Sequence, residues 1–273
     1  MKRYRILACD FDARIFTLIQ KISEEWSDEI KLLHKQNREK SEKSLTLQYG
    51  EGFIENKINN FIALGQKPFS VAAFHNYFFE QVRNSFVIGA YYPALTAACA
   101  LGERILNHLL ISLRDDFQNT NEYKKIYRKS SFDDWSLAIS ILESWEVLLP
   151  QTVIDFKLLM NKRHSALHFC PQIDQDSRQL ALEAILCLQN IIGMQFSGFG
   201  SQPWFITEIP GEIYIKKQWE TKPFIQKIYL PNAILVGYKN QVEAMIPQII
   251  ISDDFEYGNQ YISDEEFAAL RTQ

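Results

Sequence analysis

The sequence predicts a mainly α-helical fold with a small antiparallel β-sheet region at its C-terminal end, and three observations carry that expectation. Leu95, Cys99, Gly102, Leu106, Leu109 and Leu113 repeat at alternating spacings of three and four, the rhythm of a helix packed on another. Val153, Phe156, Met160 and Leu167 repeat in the same way after Pro150. Beyond about residue 200 the pattern changes to short β-branched or aromatic runs separated by Gly, Pro and Asn, the signature of a small sheet.

Taken in chain order, "YRILACDFDARIF" reads as a short strand leading through Asp10 and Asp12 into a helix, with Asp12 placed to cap it. Residues 15–43 are rich in helix formers and become very polar through "HKQNREKSEK", which predicts a solvated helix or arm. Shorter helices are expected over 53–63 and 69–87, the second heavily aromatic. The uncharged window 84–102 approaches the length that spans a bilayer, ~20 residues. Gly89 and Pro93 break it, so it reads as two core helices meeting at a turn. The basic run "NEYKKIYRKS", the amphipathic "SFDDWSLAISILESWEVLL" and a long helix over 177–194 complete the helical part. "WFITEI", "EIYIKK", "PFIQKIYL", "AILVGY" and "PQIII" are expected strands, and 264–272 a final helix. The resulting division is 1–66 for an N-terminal strand and helical arm, 67–196 for a helical core, and 200–273 for a small β-rich region.

An apolar share of 47% with 23% charged residues is that of a globular chain without low-complexity bias. The formal net charge of -4 supplies no overall attraction to a polyanion, so affinity for nucleic acid would have to come from a local patch. Cys9, Cys99, Cys170 and Cys187 lie far apart, form no CxxC and predict neither a disulfide framework nor a cysteine zinc site. With no signal peptide recognised and no membrane span expected, the reading places the chain in a reducing cytoplasm.

The segment "MNKRHSALHFCP" holds the candidate chemistry. Extending the stripe Val153, Phe156, Met160 by three places lands on Arg163, a guanidinium where the pattern wants an apolar group. A charge on a packed face costs several kcal/mol unless it is paired or solvated in a cleft. Glu103 follows Cys99 by four and precedes Leu106 by three, equally out of place on its own helix, so the two are expected to meet. A purely structural ion pair is the alternative. His168 would lie roughly 140° around an unbroken helix from Arg163. Pro171 disfavours helical geometry just before it, and a break there would turn the imidazole toward the same cleft.

"RHSALH" resembles the motif of HEPN domains, in which an arginine and a polar residue are followed, after three more, by a histidine. The glutamate of "ALGERILNHLL" is similar to the acidic residue that accompanies it. The resemblance covers roughly 69–194, and neither the N-terminal arm nor the β-rich tail belongs to it. It implies a HEPN-like helical bundle and a metal-independent endoribonuclease that needs no cofactor, with Arg163, His168 and Glu103 as the catalytic set. It further implies a homodimer whose two motifs share a cleft, RNA as substrate, and a toxin or antiviral defence role with a possible antitoxin or regulatory protein as partner. His164, filling the polar place, is given a positioning role at most. The residue types suit the reaction: an imidazole serves as base or acid, and a fixed guanidinium meets the phosphorane.

Lys124, Lys125, Arg128 and Lys129, interleaved with Tyr123 and Tyr127, are the candidate RNA-backbone contacts, against the plainer reading of a solvated helix face. His164 and His168 have the four-residue spacing of zinc ligands, but Ser165 stands where a HExxH glutamate would be, and no metal is expected. "CDFDAR" invites comparison with a phosphatase nucleophile loop, yet Ala13 and Arg14 replace the expected Gly-Thr. His34, His75 and His108 read as surface or core polar residues. The alternative function is a non-catalytic helical module that binds RNA or protein. The β-rich region is expected to cover the cleft or to dock a partner.

Overall fold

The computed structural model describes residues 1–7, 12–167, 171–199, 202–244 and 249–273, without the side chains of 165, 167 and 171–175. It is mainly helical, with small antiparallel sheets mostly in its C-terminal half. The helices are α1 (Arg14–Ile19), α2 (Asp28–Tyr49), α3 (Ile54–Leu64), α4 (Ala73–Val87), α5 (Tyr91–Leu113), α6 (Asn121–Ile126), α7 (Trp135–Ser144), α8 (Pro150–Leu167), α9 (Pro171–Gln195) and α10 (Asp264–Thr272).

Helix α5 is the axis of the body, packed against α4, α7, α8 and α9. Its start follows from the chain: Gly89 takes φ +87°, a left-handed conformation that ends the preceding helix, and Pro93 sits in the first turn of the next. By length and composition α5 and its extension to Phe117 would suffice to cross a membrane, and 56% of that most apolar window is buried inside the protein. The core built around α5 also takes Ile15, Leu18, Leu45, Phe61 and Leu64 from α1, α2 and α3.

Helix starts differ from the sequence expectation at two places, in each because a short polar side chain intervenes. The helix expected over 15–43 is two helices, since the Ser27 hydroxyl accepts the Ile30 N–H and caps a new start. Helix α4 begins at Ala73 because the Asn76 side chain bonds both backbone groups of Ser70, holding a turn before it. Backbone assigned to α9 starts at Pro171, but Asp176 leaves helical geometry and its carboxylate accepts the Gln179 N–H, so regular helix runs from Ser177. Asp12 accepts the Arg14 N–H at the start of α1 and also grips the Arg14 guanidinium. Asp10 and Cys9 lie outside the described residues.

The larger sheet has the order β2-β3-β1-β4, with β1 (Lys2–Ile6), β2 (Phe205–Ile206), β3 (Tyr214–Ile215) and β4 (Ala233–Gly237). Its inner strand β1 pairs antiparallel with β4 from Lys2↔Gly237 to Ile6↔Ala233, and with β3 at Arg5↔Tyr214. A two-stranded sheet joins β5 (Gln241–Ala244) to β6 (Ile250–Ser252). "PFIQKIYL" is helical over Ile225–Tyr229, not a strand. Phe224, Ile225, Ile228 and Tyr229 are all buried, and their spacing of three and four wraps one helical face instead of alternating.

Trp204, Phe205, Ile215 and Tyr229 belong to the same core as α5, while Ile206, Tyr214 and Val236 form a smaller core with Phe267 and Ala268 of α10. Arg3 is 1% exposed and lies within that second layer, bonded to Asp264 at 2.6 Å and to the Ile262 carbonyl. Glu212 answers Arg5 and Arg271 together. Burying these guanidinium groups without such partners would cost several kcal/mol each.

His75 is buried between the rings of Phe74 and Phe196, at 4.3 and 4.5 Å, with Nδ1 2.8 Å from the Ser70 hydroxyl. Burial, followed by the charge of His108, lowers its pKa to about 3. The folded state therefore keeps this imidazole neutral while the unfolded chain protonates below about 6.5, so stability is whole above that pH and declines as pH falls toward 3. Urea titrations at pH 7 and pH 5 are expected to differ by about 2 kcal/mol from this residue, and His75→Gln to remove most of that difference.

Candidate functional site

The site begins at a glycine. A Cβ on Gly102 of α5 would stand 2.7 Å from both Leu159 Cδ2 of α8 and the far edge of the Trp135 ring of α7. Glycine in a helix interior is disfavoured by about 1 kcal/mol against alanine, so its place here is one of close approach. Three helices meet over that position. The Tyr92 hydroxyl bonds the Ala166 carbonyl while Gly102 faces Leu159, so α8 runs antiparallel to α5.

One helical turn beyond Leu159 comes Arg163, and one residue beyond Gly102 comes Glu103. Arg163 Nη2 lies 2.9 Å from Glu103 Oε2, the ion pair expected from the two interrupted stripes. The Trp135 indole N–H donates to the same oxygen at 3.1 Å, and its ring lies 5.7 Å from the Arg163 guanidinium carbon. Among the described residues no donor reaches Glu103 Oε1, so this carboxylate keeps an acceptor open. The side chains are 27% and 35% exposed, and a pair that wet contributes at most ~1 kcal/mol to stability. Its effect is to fix the guanidinium's orientation.

The pair stands at the edge of an open groove of about 710 Å³. Phe78, Leu101 and Ile111 contribute apolar surface, and Glu103, Asn107, Ser130, Ser131 and Arg163 supply polar groups. Asn107 clamps the segment before α7 to α5: its amide donates to the Phe132 carbonyl at 2.7 Å and its Oδ1 accepts the Phe132 N–H at 2.6 Å. Asp134 then caps α7 by accepting the Leu137 N–H, which sets Trp135 in the first turn.

Lys124 and Lys125 on α6 and Arg128 and Lys129 after it are exposed and do not line the groove. The chain carries straight on from Lys129 into Ser130 and Ser131, which do. Arg128 lies over the Tyr127 ring and Lys129 over Phe132. His164 is exposed on α8. His168 and Cys170 lie outside the described residues, immediately after the last residue of α8. No described lining residue comes after Arg163, so the C-terminal β region, expected to cover the cleft or dock a partner, does not line this groove. Among the described residues no group of three His, Cys, Asp or Glu side chains is placed to hold a metal ion.

Trp135 and Asn107 are the residues that sequence reasoning missed. The available signals were an indole at the start of an amphipathic segment directly after "DD", and an amide four places beyond Glu103 on the same helix. Comparison with protein-family models, with curated proteins and with solved structures finds no match for the chain.

Gly102→Ala is expected to lower the denaturation midpoint, because the inserted methyl overpacks a three-helix contact at a cost of about 1–3 kcal/mol that exceeds the gain in helix propensity. Gly193→Ala on α9, where a Cβ would meet its nearest neighbour at 3.7 Å, is expected to leave the midpoint unchanged or raise it.

Proposed function

We propose that the chain is a metal-independent endoribonuclease of the HEPN type, acting by 2′-hydroxyl transesterification. The observation that carries this reading is the Arg163 guanidinium held by Glu103 at the edge of a groove, five residues before the histidine of the "RHSALH" motif in the sequence. In the reaction the 2′-oxygen attacks phosphorus and the bond to the 5′-oxygen breaks, leaving a 2′,3′-cyclic phosphate and a free 5′-hydroxyl. His168 moves the proton at one of the two oxygens, and the corresponding histidine of a second copy serves the other. Arg163 neutralises the charge that builds on the phosphorane. Glu103 fixes the guanidinium and offers Oε1 to a ribose hydroxyl. The basic run from Lys124 to Lys129 gathers the backbone at the rim, supplying locally the attraction that the net charge of -4 denies. A cytoplasmic toxin or defence effector restrained by an antitoxin is the biological setting the resemblance suggests.

A second reading, a non-catalytic module binding RNA or protein, has one observation in its favour: Arg163 already pairs with Glu103 and lies over the Trp135 ring, contacts that a structural ion pair would also make. Incubation of purified protein with structured and single-stranded RNA, chelator present, separates the two. Cleavage by the wild type is expected to fall by about 10²–10⁴ in His168→Ala and by about 10²–10³ in Arg163→Ala. RNA surviving equally with wild type and His168→Ala would leave the binding module.

A further inference from the structure

Arg104, next to Glu103 on α5, belongs to none of the contacts described so far, and it also lines the groove. Its guanidinium carbon lies 4.9 Å from the Phe78 ring centroid and 5.7 Å from that of Phe74, both on α4. The side chain is exposed, and among the described residues no carboxylate stands within ion-pair distance of it. Its neighbour Glu103 is already engaged by Arg163 and Trp135. A guanidinium laid against two aromatic faces has lost much of its rotamer freedom before any ligand arrives, so less is lost for each hydrogen bond it then forms. Five N–H donors in a fixed fork, preorganised and unpaired, suit a phosphate.

Resting on the ribonuclease reading of the same groove, we infer that Arg104 forms a second phosphate-binding subsite and that the polyanion it takes is single-stranded RNA. The Asn107 clamp ties the segment carrying Ser130 and Ser131 to α5, so a strand leaving Lys129 at the rim passes these hydroxyls on its way to Arg104 and Arg163. The apolar surface of Phe78, Leu101 and Ile111 offers burial to a base, and the asparagine and serines offer hydrogen bonds to its edge. A duplex keeps the faces of its bases stacked inside and presents phosphates, ribose and base edges, with no base free to enter such a concavity. An unpaired strand uses both kinds of surface.

The test is fluorescence anisotropy with labelled single-stranded and duplex RNA of equal length, over a range of salt and with chelator, using full-length His168→Ala to hold the RNA intact. Single-stranded RNA is expected to bind more tightly than duplex. Adding Arg104→Ala is expected to weaken single-strand binding about tenfold and to reduce the slope of log affinity against log salt by about 0.7, the share of one phosphate. Arg104→Lys keeps the charge and is expected to keep the slope while losing part of the affinity. Denaturation midpoints of the variants, expected to match the parent, show that the fold is intact. Unchanged affinity and slope in Arg104→Ala would overturn the subsite. Duplex binding as tightly as single strand, or polyglutamate binding as tightly as RNA with the same sensitivity to Arg104, would overturn the choice of ligand. Cleavage by wild-type protein, measured separately, decides the ribonuclease reading. Binding that depends on Arg104 without cleavage leaves the subsite standing and removes the enzyme, and cleavage with indifference to Arg104 does the reverse.

Discussion

The missing side chain at Gly102 is the constraint on which the site depends. With nothing on that Cα, Leu159 of α8 and the Trp135 ring of α7 close onto α5, and the neighbouring turn of each helix is brought into register. Arg163 then falls opposite Glu103 by helical periodicity, and the indole N–H of Trp135 reaches the same carboxylate oxygen. Tight apolar packing thus positions a polar group that would be too exposed to position itself. An ion pair about one-third wet has little energy with which to organise three helices, whereas the dry contact beneath it has enough.

The groove inherits its composition from the same junction. Helix α5 contributes Leu101, Glu103, Arg104, Asn107 and Ile111, so its successive turns present apolar, charged and amide groups along one wall. Opposite charges sit side by side without cancelling because each is engaged differently, Glu103 by hydrogen bonds and Arg104 by aromatic faces. Each charge is thus held in place and only partly neutralised.

Much of this was legible in the sequence. Interrupted apolar stripes identified Glu103 and Arg163 as partners because a helix with one charged position on its inward face must answer that charge. Gly102 stood in the stripe too, but only the structure shows which neighbours press on it, since the sequence does not specify the interhelical distance. Trp135 and Asn107 were not legible for the same reason: an indole donor and an amide clamp acquire their partners from residues 32 and 25 positions away. "PFIQKIYL" misled because five apolar residues in eight satisfy a strand and a buried helical turn alike, and Pro223 suits the start of either. At the N-terminus a single strand was readable but its partners were not, because pairing across the whole chain leaves no local trace.

That last pairing governs the order in which the molecule is assembled. Among the described residues the strand Lys2 to Ile6 has its long-range hydrogen-bonding partners only from Glu212 onward, and the Arg3 guanidinium meets Asp264 across 261 positions. During synthesis the helical body has every core segment from Ile15 to Ile192 in hand while this strand is still single, its buried arginines solvated and its edges open. Closure of the sheet is therefore a late event that couples the two extremities of the described chain, and anything fused ahead of Met1 sits beside the junction where that closure takes place.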